Sequence, residues 1–188
     1  MKRETGITIS SPAASRKSRF ARNFKWRGEI AELGFAHKAA SMGFTVTKPY
    51  GESESYDFVV DAGNRFWRVQ VKSGSSRKRD AYRVSARHFW RKGQLKHSYT
   101  AEQIDILAAY VVPADAWYII PVSAFAPRES LILFPHLPGH GGKYEQFREA
   151  WYLMACRREG GFRDGIVTSP ACEYCPALGK ACAGCVTK

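Results

Sequence analysis

The chain has 188 residues, 45% of them hydrophobic and 13% aromatic, with 29 lysines and arginines against 17 acids for a formal net charge of +12. That apolar content supports one packed domain and excludes a wholly disordered basic tail. The longest apolar runs, residues 106–112 and 117–122, are too short to span a bilayer, so no membrane span is expected. The positive excess favours a polyanionic partner, nucleic acid ahead of an anionic membrane surface.

Residues 1–24 are rich in Ser, Arg and Lys, with Glu4 as the only acid. They contain no uninterrupted apolar stretch of the secretory kind. They read as a flexible basic arm touching phosphates; a solvated tail or a mitochondrial transit peptide has the same composition. A helix is expected over residues 25–42, alanine-rich and stopped by Gly43. Its expected buried face is Ile30, Leu33, His37 and Ala40, with Glu29 and Glu32 one turn apart on a neighbouring stripe.

A hairpin follows. Tyr56-Asp57-Phe58-Val59-Val60 is β-prone, residues 61–64 make a turn, and residues 65–72 return. Strand alternation points Trp67, Val69 and Val71 one way and Arg68, Gln70 and Lys72 the other. Asp57 then falls opposite Arg68 or Gln70, so an acid, an amide and a lysine share one face. Beyond Lys72 comes a basic stretch with interleaved aromatics, containing Arg77, Lys78, Arg79, Arg83, Arg87, Arg91 and Lys92. With Arg68, these are the expected phosphate contacts. His88 and His97 have no partner by spacing and are read as part of that surface.

Residues 106–112 and 117–121 form a second expected hairpin around residues 113–116. A last helix is expected from about residue 144 to 156, its Tyr144, Phe147, Trp151 and Met154 stripe packing into the core. Leu131-Ile132-Leu133-Phe134, between prolines, suits a buried subunit contact, giving a homodimer or homotetramer. The tail spaces Cys172, Cys175, Cys182 and Cys185 as two Cys-x-x-Cys knuckles, a donor set for structural Zn²⁺, with redox-labile thiols or an iron–sulfur cluster as rivals. Without a secretory signal, a reducing intracellular setting (cytoplasm or nucleoid) fits these cysteines better than disulfides. The organisation expected is an arm at 1–24, a domain at 25–160 and a cysteine-rich module at 161–188.

The helix acid, Tyr56-Asp57-Phe58-Val59-Val60 and Arg68-Val69-Gln70-Val71-Lys72-Ser73-Gly74 together resemble the PD-(D/E)xK nuclease superfamily. They are most similar to its branch with glutamine in the D/E place, which includes group I intron-associated homing endonucleases. The resemblance runs from about residue 25 to 155 and implies an α/β fold with a central mixed sheet flanked by helices. It implies a Mg²⁺- or Mn²⁺-dependent endonuclease acting on double-stranded DNA. Glu32, Asp57 and Gln70 would be its metal ligands, Lys72 its catalytic cation, and Glu29 the substitute for Glu32. The Gly28-to-Glu32 spacing matches the family's Gly-x-x-x-Glu pattern. Hard oxygen donors suit Mg²⁺, and a lysine beside them suits charge developing on phosphate. Gln70 removes one negative charge from the commonest pattern, which leaves a catalytically inactive DNA-binding module as the competing reading. Repair, branched-DNA resolution and defence use the same site.

Overall fold

Helix α1 (Phe24–Ser41) is opened by Asn23, whose side chain accepts a hydrogen bond from the Trp26 backbone N–H at 3.1 Å. It closes before Gly43, whose φ of 88° is a left-handed value that glycine adopts without strain. The computed structural model describes residues 23–155 apart from 52, 64, 75–76, 79, 89–96 and 138–141. The basic arm, the four tail cysteines, Arg79, Arg91 and Lys92 lie outside these residues.

Five strands make the central sheet, in the order β1 (Thr45–Thr47), β2 (Phe58–Asp61), β3 (Phe66–Gly74), β8 (Ile106–Val111), β9 (Ala116–Pro121). The pairings are antiparallel except β3 with β8, which run parallel. Both expected hairpins are present, β2–β3 and β8–β9. A parallel neighbour for β3 needs a long crossover, and the basic stretch supplies it. Within that crossover lie β4 (Arg77–Lys78), β5 (Ala81–Ser85), β6 (Arg87–His88) and β7 (His97–Ser98). After the four-residue helix α2 (Val122–Phe125), β10 (Ser130–Leu133) joins β5 and β4 in a second sheet of three strands.

Alternation along the central strands divides the core into two layers. Val69, Val71, Ile106, Ala108, Trp117 and Ile119 pack with α1, whereas Leu107, Ala109, Val111, Tyr118 and Ile120 pack with Tyr82, Val84, Leu131 and Leu133 of the second sheet. The α1 face buries Ala31, Phe35 and Ala39, not the expected Ile30, Leu33, His37 and Ala40; Leu33 is 71% exposed and His37 is exposed. The reason is Phe35. Its ring lies 5.4 Å from Phe58, 5.9 Å from Trp117 and 5.5 Å from Trp151, and small alanines one turn either side let the helix approach the sheet.

The expected final helix is replaced by a 3-10 turn (Glu145–Phe147) and a short helix, α3 (Tyr152–Ala155). Between them Arg148 bridges Tyr118, and Glu149 binds Trp117 both ways: its N–H donates to the Trp117 carbonyl at 2.8 Å and its Oε1 accepts the Trp117 N–H at 2.8 Å. Bonds to the edge of β9 thus outcompete helix propensity, although Tyr144, Trp151 and Met154 remain core residues. Leu131 and Leu133 are also core, so only Ile132 of that β10 run is exposed, at 37%. The run is mainly intrachain packing.

At the end of β3 the two sheets nearly touch. A Cβ on Gly74 would stand 2.8 Å from Val84 Cγ2 and 3.4 Å from the Arg83 carbonyl oxygen. Val84 is fully buried and β-branched, hence stiff. Gly74→Ala should therefore cost about 1–3 kcal/mol through overpacking, read as a lower urea midpoint at unchanged slope.

Candidate active site

The β2–β3 pairing builds the site. Phe58 stands opposite Val69, and the Asp57 N–H donates to the Val69 carbonyl at 2.9 Å, so the pairing continued one residue back sets Asp57 opposite Gln70. Opposed residues in an antiparallel pair project to the same face. The Val71 N–H donates to Asp57 Oδ2 at 2.8 Å, and the Gln70 amide nitrogen donates to the same oxygen and to the Val71 carbonyl at 3.1 Å. Lys72, two residues on, shares this face. Its ammonium lies 5.7 Å from the centre of the Tyr99 ring.

Glu32 reaches the same cleft from α1. The cleft has a volume of about 240 Å³ and is lined by Glu32, Lys48, Glu54, Tyr56 and Asp57, with Pro49 and Gly51. Lys48 Nζ is 2.7 Å from Glu32 Oε2. Glu29 is exposed and does not line the cleft, so of the two helix acids Glu32 is the one brought to Asp57. The sequence-predicted quartet of Glu32, Asp57, Gln70 and Lys72 is therefore assembled around one cleft and the strand beneath it.

Burial pushes the Asp57 carboxyl above the usual carboxylate range, and Glu32 adds to this; the Val71 N–H, Lys72 and Lys48 oppose it without cancelling it. Lys72 is shifted the other way. Burial draws its ammonium below the ordinary lysine value despite the fields of Asp57 and Glu32. A desolvated carboxylate is a natural seat for a cation, and Asp57 Oδ2 and the Val71 carbonyl converge on a single donor, the Gln70 amide nitrogen. These oxygens, with Glu32, fit a hard divalent ion. Gln70 would join them as an oxygen ligand only with its amide turned over, since its nitrogen is the atom facing Asp57. Among the described residues no three His, Cys, Asp or Glu side chains form a ready-made cage. Amide, backbone or water oxygens would complete the set.

The basic residues separate into different roles. The structure gives Arg68, expected at phosphate, an internal task. Its Nε donates to Asp105 Oδ2 at 3.1 Å, one terminal nitrogen donates to Asp105 Oδ1 at 3.2 Å and the Ala101 carbonyl at 2.7 Å, and the other binds the Glu102 carbonyl. Burial alone would raise Asp105, but its bonds to Arg68 hold it below the usual range. This clamp joins β3 to the turn that leads into β8. Arg87 pairs with Glu129 at 2.5 Å, Arg83 is exposed on β5, and Arg77 and Lys78 form β4.

Sequence reasoning missed Lys48, Glu54, Tyr99 and the place of His88. Tyr99 is buried under Lys72, and His88 packs on it with ring centres 5.7 Å apart while Gln103 Nε2 lies 3.1 Å from His88 Nε2. Burial, then Lys72 and His97, draws His88 below the ordinary histidine value. No spacing rule links these residues to Lys72, because the crossover fold alone brings them there.

The Asp57 shift has a definite sign. A carboxyl raised in the folded state binds more protons folded than unfolded, so its contribution is present below the unfolded pKa and lost as pH rises through the folded one. Metal-free protein should therefore carry a destabilising Asp57 charge at neutral pH. In excess chelator at pH 7, Asp57→Asn should melt above the unsubstituted protein, and the difference should vanish on acidification below the ordinary aspartate range. Thermal scans across pH measure both.

Comparison with known proteins bears on this geometry. Residues 22–143 match the family described as PD-(D/E)XK endonuclease. Among solved structures the chain is similar to a bacterial homing endonuclease, I-Ssp6803I, at 31% identity and a TM-score of 0.61, over 70% of this chain and 92% of that one. No curated protein matches it. With most of the described fold inside the matched span, this chain belongs to the PD-(D/E)XK endonuclease family.

Proposed function

We propose that the protein is a Mg²⁺- or Mn²⁺-dependent endonuclease of homing type that hydrolyses phosphodiester bonds in double-stranded DNA, leaving 5′-phosphate ends. The observation that carries this reading is the convergence of Asp57, Gln70 and Lys72 on one strand face beside a cleft that Glu32 also lines. Similarity to a bacterial homing endonuclease supports the homing role.

Asp57, Glu32, the Val71 carbonyl and the Gln70 amide oxygen would hold the ion. When bound, it supplies charge to the phosphoryl oxygen and acidifies an attacking water. The chain's own groups do the rest. Lys72 places a desolvated ammonium beside the carboxylates, where it orients the water and offsets charge building on phosphate; low local polarity strengthens that effect. The Val71 N–H holds Asp57 in one orientation through the ladder, independently of which way the Gln70 amide is turned. Arg83 on the outer sheet, with Arg77, Lys78, Arg79, Arg91 and Lys92 of the same crossover, would engage the DNA backbone, whose contacts position rather than specify.

Supercoiled plasmid with Mg²⁺ tests the activity, supplemented by a library of target sites because a homing enzyme cuts rarely. Asp57→Ala and Lys72→Ala should each lower cleavage by about 100-fold or more while DNA affinity stays within about twofold. Cleavage at full rate in both variants refutes the site. Salt-sensitive DNA binding without cleavage on any substrate would favour the inactive module, a reading supported by the Gln70 nitrogen facing Asp57.

Cutting both strands calls for paired sites, so a homodimer or homotetramer is the assembly proposed. Light scattering should return a mass above that of one 21.1 kDa chain, and a monomer mass with and without DNA refutes it.

A further inference from the structure

Lys48 lies outside the Gly28–Glu32, Tyr56–Val60 and Arg68–Gly74 segments, yet it lines the same cleft as Glu32 and Asp57. It directly follows β1, whose Thr47 pairs with Val59, so the chain delivers it beside Phe58 and Asp57. Its ammonium lies 2.7 Å from Glu32 Oε2 and 5.8 Å from the Phe58 ring, and its field reaches Asp57. Lys48 thus pairs directly with Glu32, one of the two acids read above as metal ligands, and acts on Asp57 only through its field. Lys72 approaches the same acids from the buried side. The Lys48 side chain is 63% exposed.

We propose that Lys48 is the resident counter-cation of the metal-free site: it neutralises Glu32 and eases Asp57 until a divalent ion displaces it. The proposal rests on the reading of Glu32 and Asp57 as metal ligands. Glu32, Glu54 and Asp57 all line one cleft and repel one another, and the Lys48 ammonium offsets that repulsion without closing the site. Entry of the ion is then an exchange, in which the Glu32–Lys48 pair must break before Glu32 can ligate. The apparent metal affinity is set below what the oxygen ligands alone would give.

The test is Mn²⁺ binding to the full-length protein without DNA, followed by the free-Mn²⁺ electron paramagnetic resonance signal. Lys48→Met should bind Mn²⁺ about fivefold tighter, the effect of removing one unit charge at contact distance in a solvated cleft. Lys48→Arg, which keeps the charge, should bind as the unsubstituted protein does. The gain should shrink in the Lys48→Met/Glu32→Gln double variant relative to Glu32→Gln alone, leaving only the part that acts through Asp57. Circular dichroism confirms that each variant is folded. Unchanged, weaker or undetectable Mn²⁺ binding in folded Lys48→Met overturns the proposal. Glu32→Gln and Asp57→Asn separate the two readings. If both bind Mn²⁺ as the unsubstituted protein does, the metal-site reading fails; if both lose binding while Lys48→Met matches the parent, only the role of Lys48 fails.

Discussion

The register between β2 and β3 is the constraint on which the rest depends. A slip of one residue would turn every side chain of one strand to the opposite face, carrying Asp57 away from Gln70. The register is held from both sides of β3. Trp67, Val69 and Val71 are buried against α1, while β8 pairs along the full length from Val69 to Gly74. Asp57 itself helps lock the pairing, since its carboxylate accepts the Val71 N–H and its own N–H binds the Val69 carbonyl. Asp57 is thus part of the ladder's hydrogen bonding.

Around that strand the protein places polar chemistry in a largely apolar setting. Gln70 is 7% exposed and is the buried polar residue among those described; its amide is satisfied by Asp57 and Val71. A buried amide without such partners would be strongly destabilising. Desolvation moves Asp57 and Lys72 toward each other in proton affinity, which is the poise expected of groups that handle charge in a reaction. The site lies where the central sheet, α1 and the crossover meet, so three separate stretches of chain tune it.

The basic crossover shows how one charged stretch is partitioned by packing. Tyr82 and Val84 of β5 enter the second core layer while Arg83 and Ser85 face outward. Arg87 is matched by Glu129, and Arg68 binds back to Asp105 and the carbonyls before β8. Only part of the positive charge is therefore available to a polyanion. Arg68 holds the end of the crossover to the sheet that carries the site, and Arg87 ties it to the segment before β10.

Local pattern made much of the protein legible. Strand alternation placed Asp57, Gln70 and Lys72 on one face and turn residues located both hairpins, whereas the choice of Glu32 over Glu29 came from the family resemblance. The first two rest on contacts a few residues apart or on a period of two, and such information is written along the chain. The buried face of α1 was not legible, because Phe35 wins through three aromatic partners from distant strands. The expected final helix gave way to bonds with Trp117 for the same reason. Lys48, Tyr99 and His88 came to the site only through the β1–β2 pairing and the crossover. Residue type and local period thus determined the strand that carries Gln70 and Lys72, whereas its neighbours were decided by long-range packing, which no spacing in the sequence encodes.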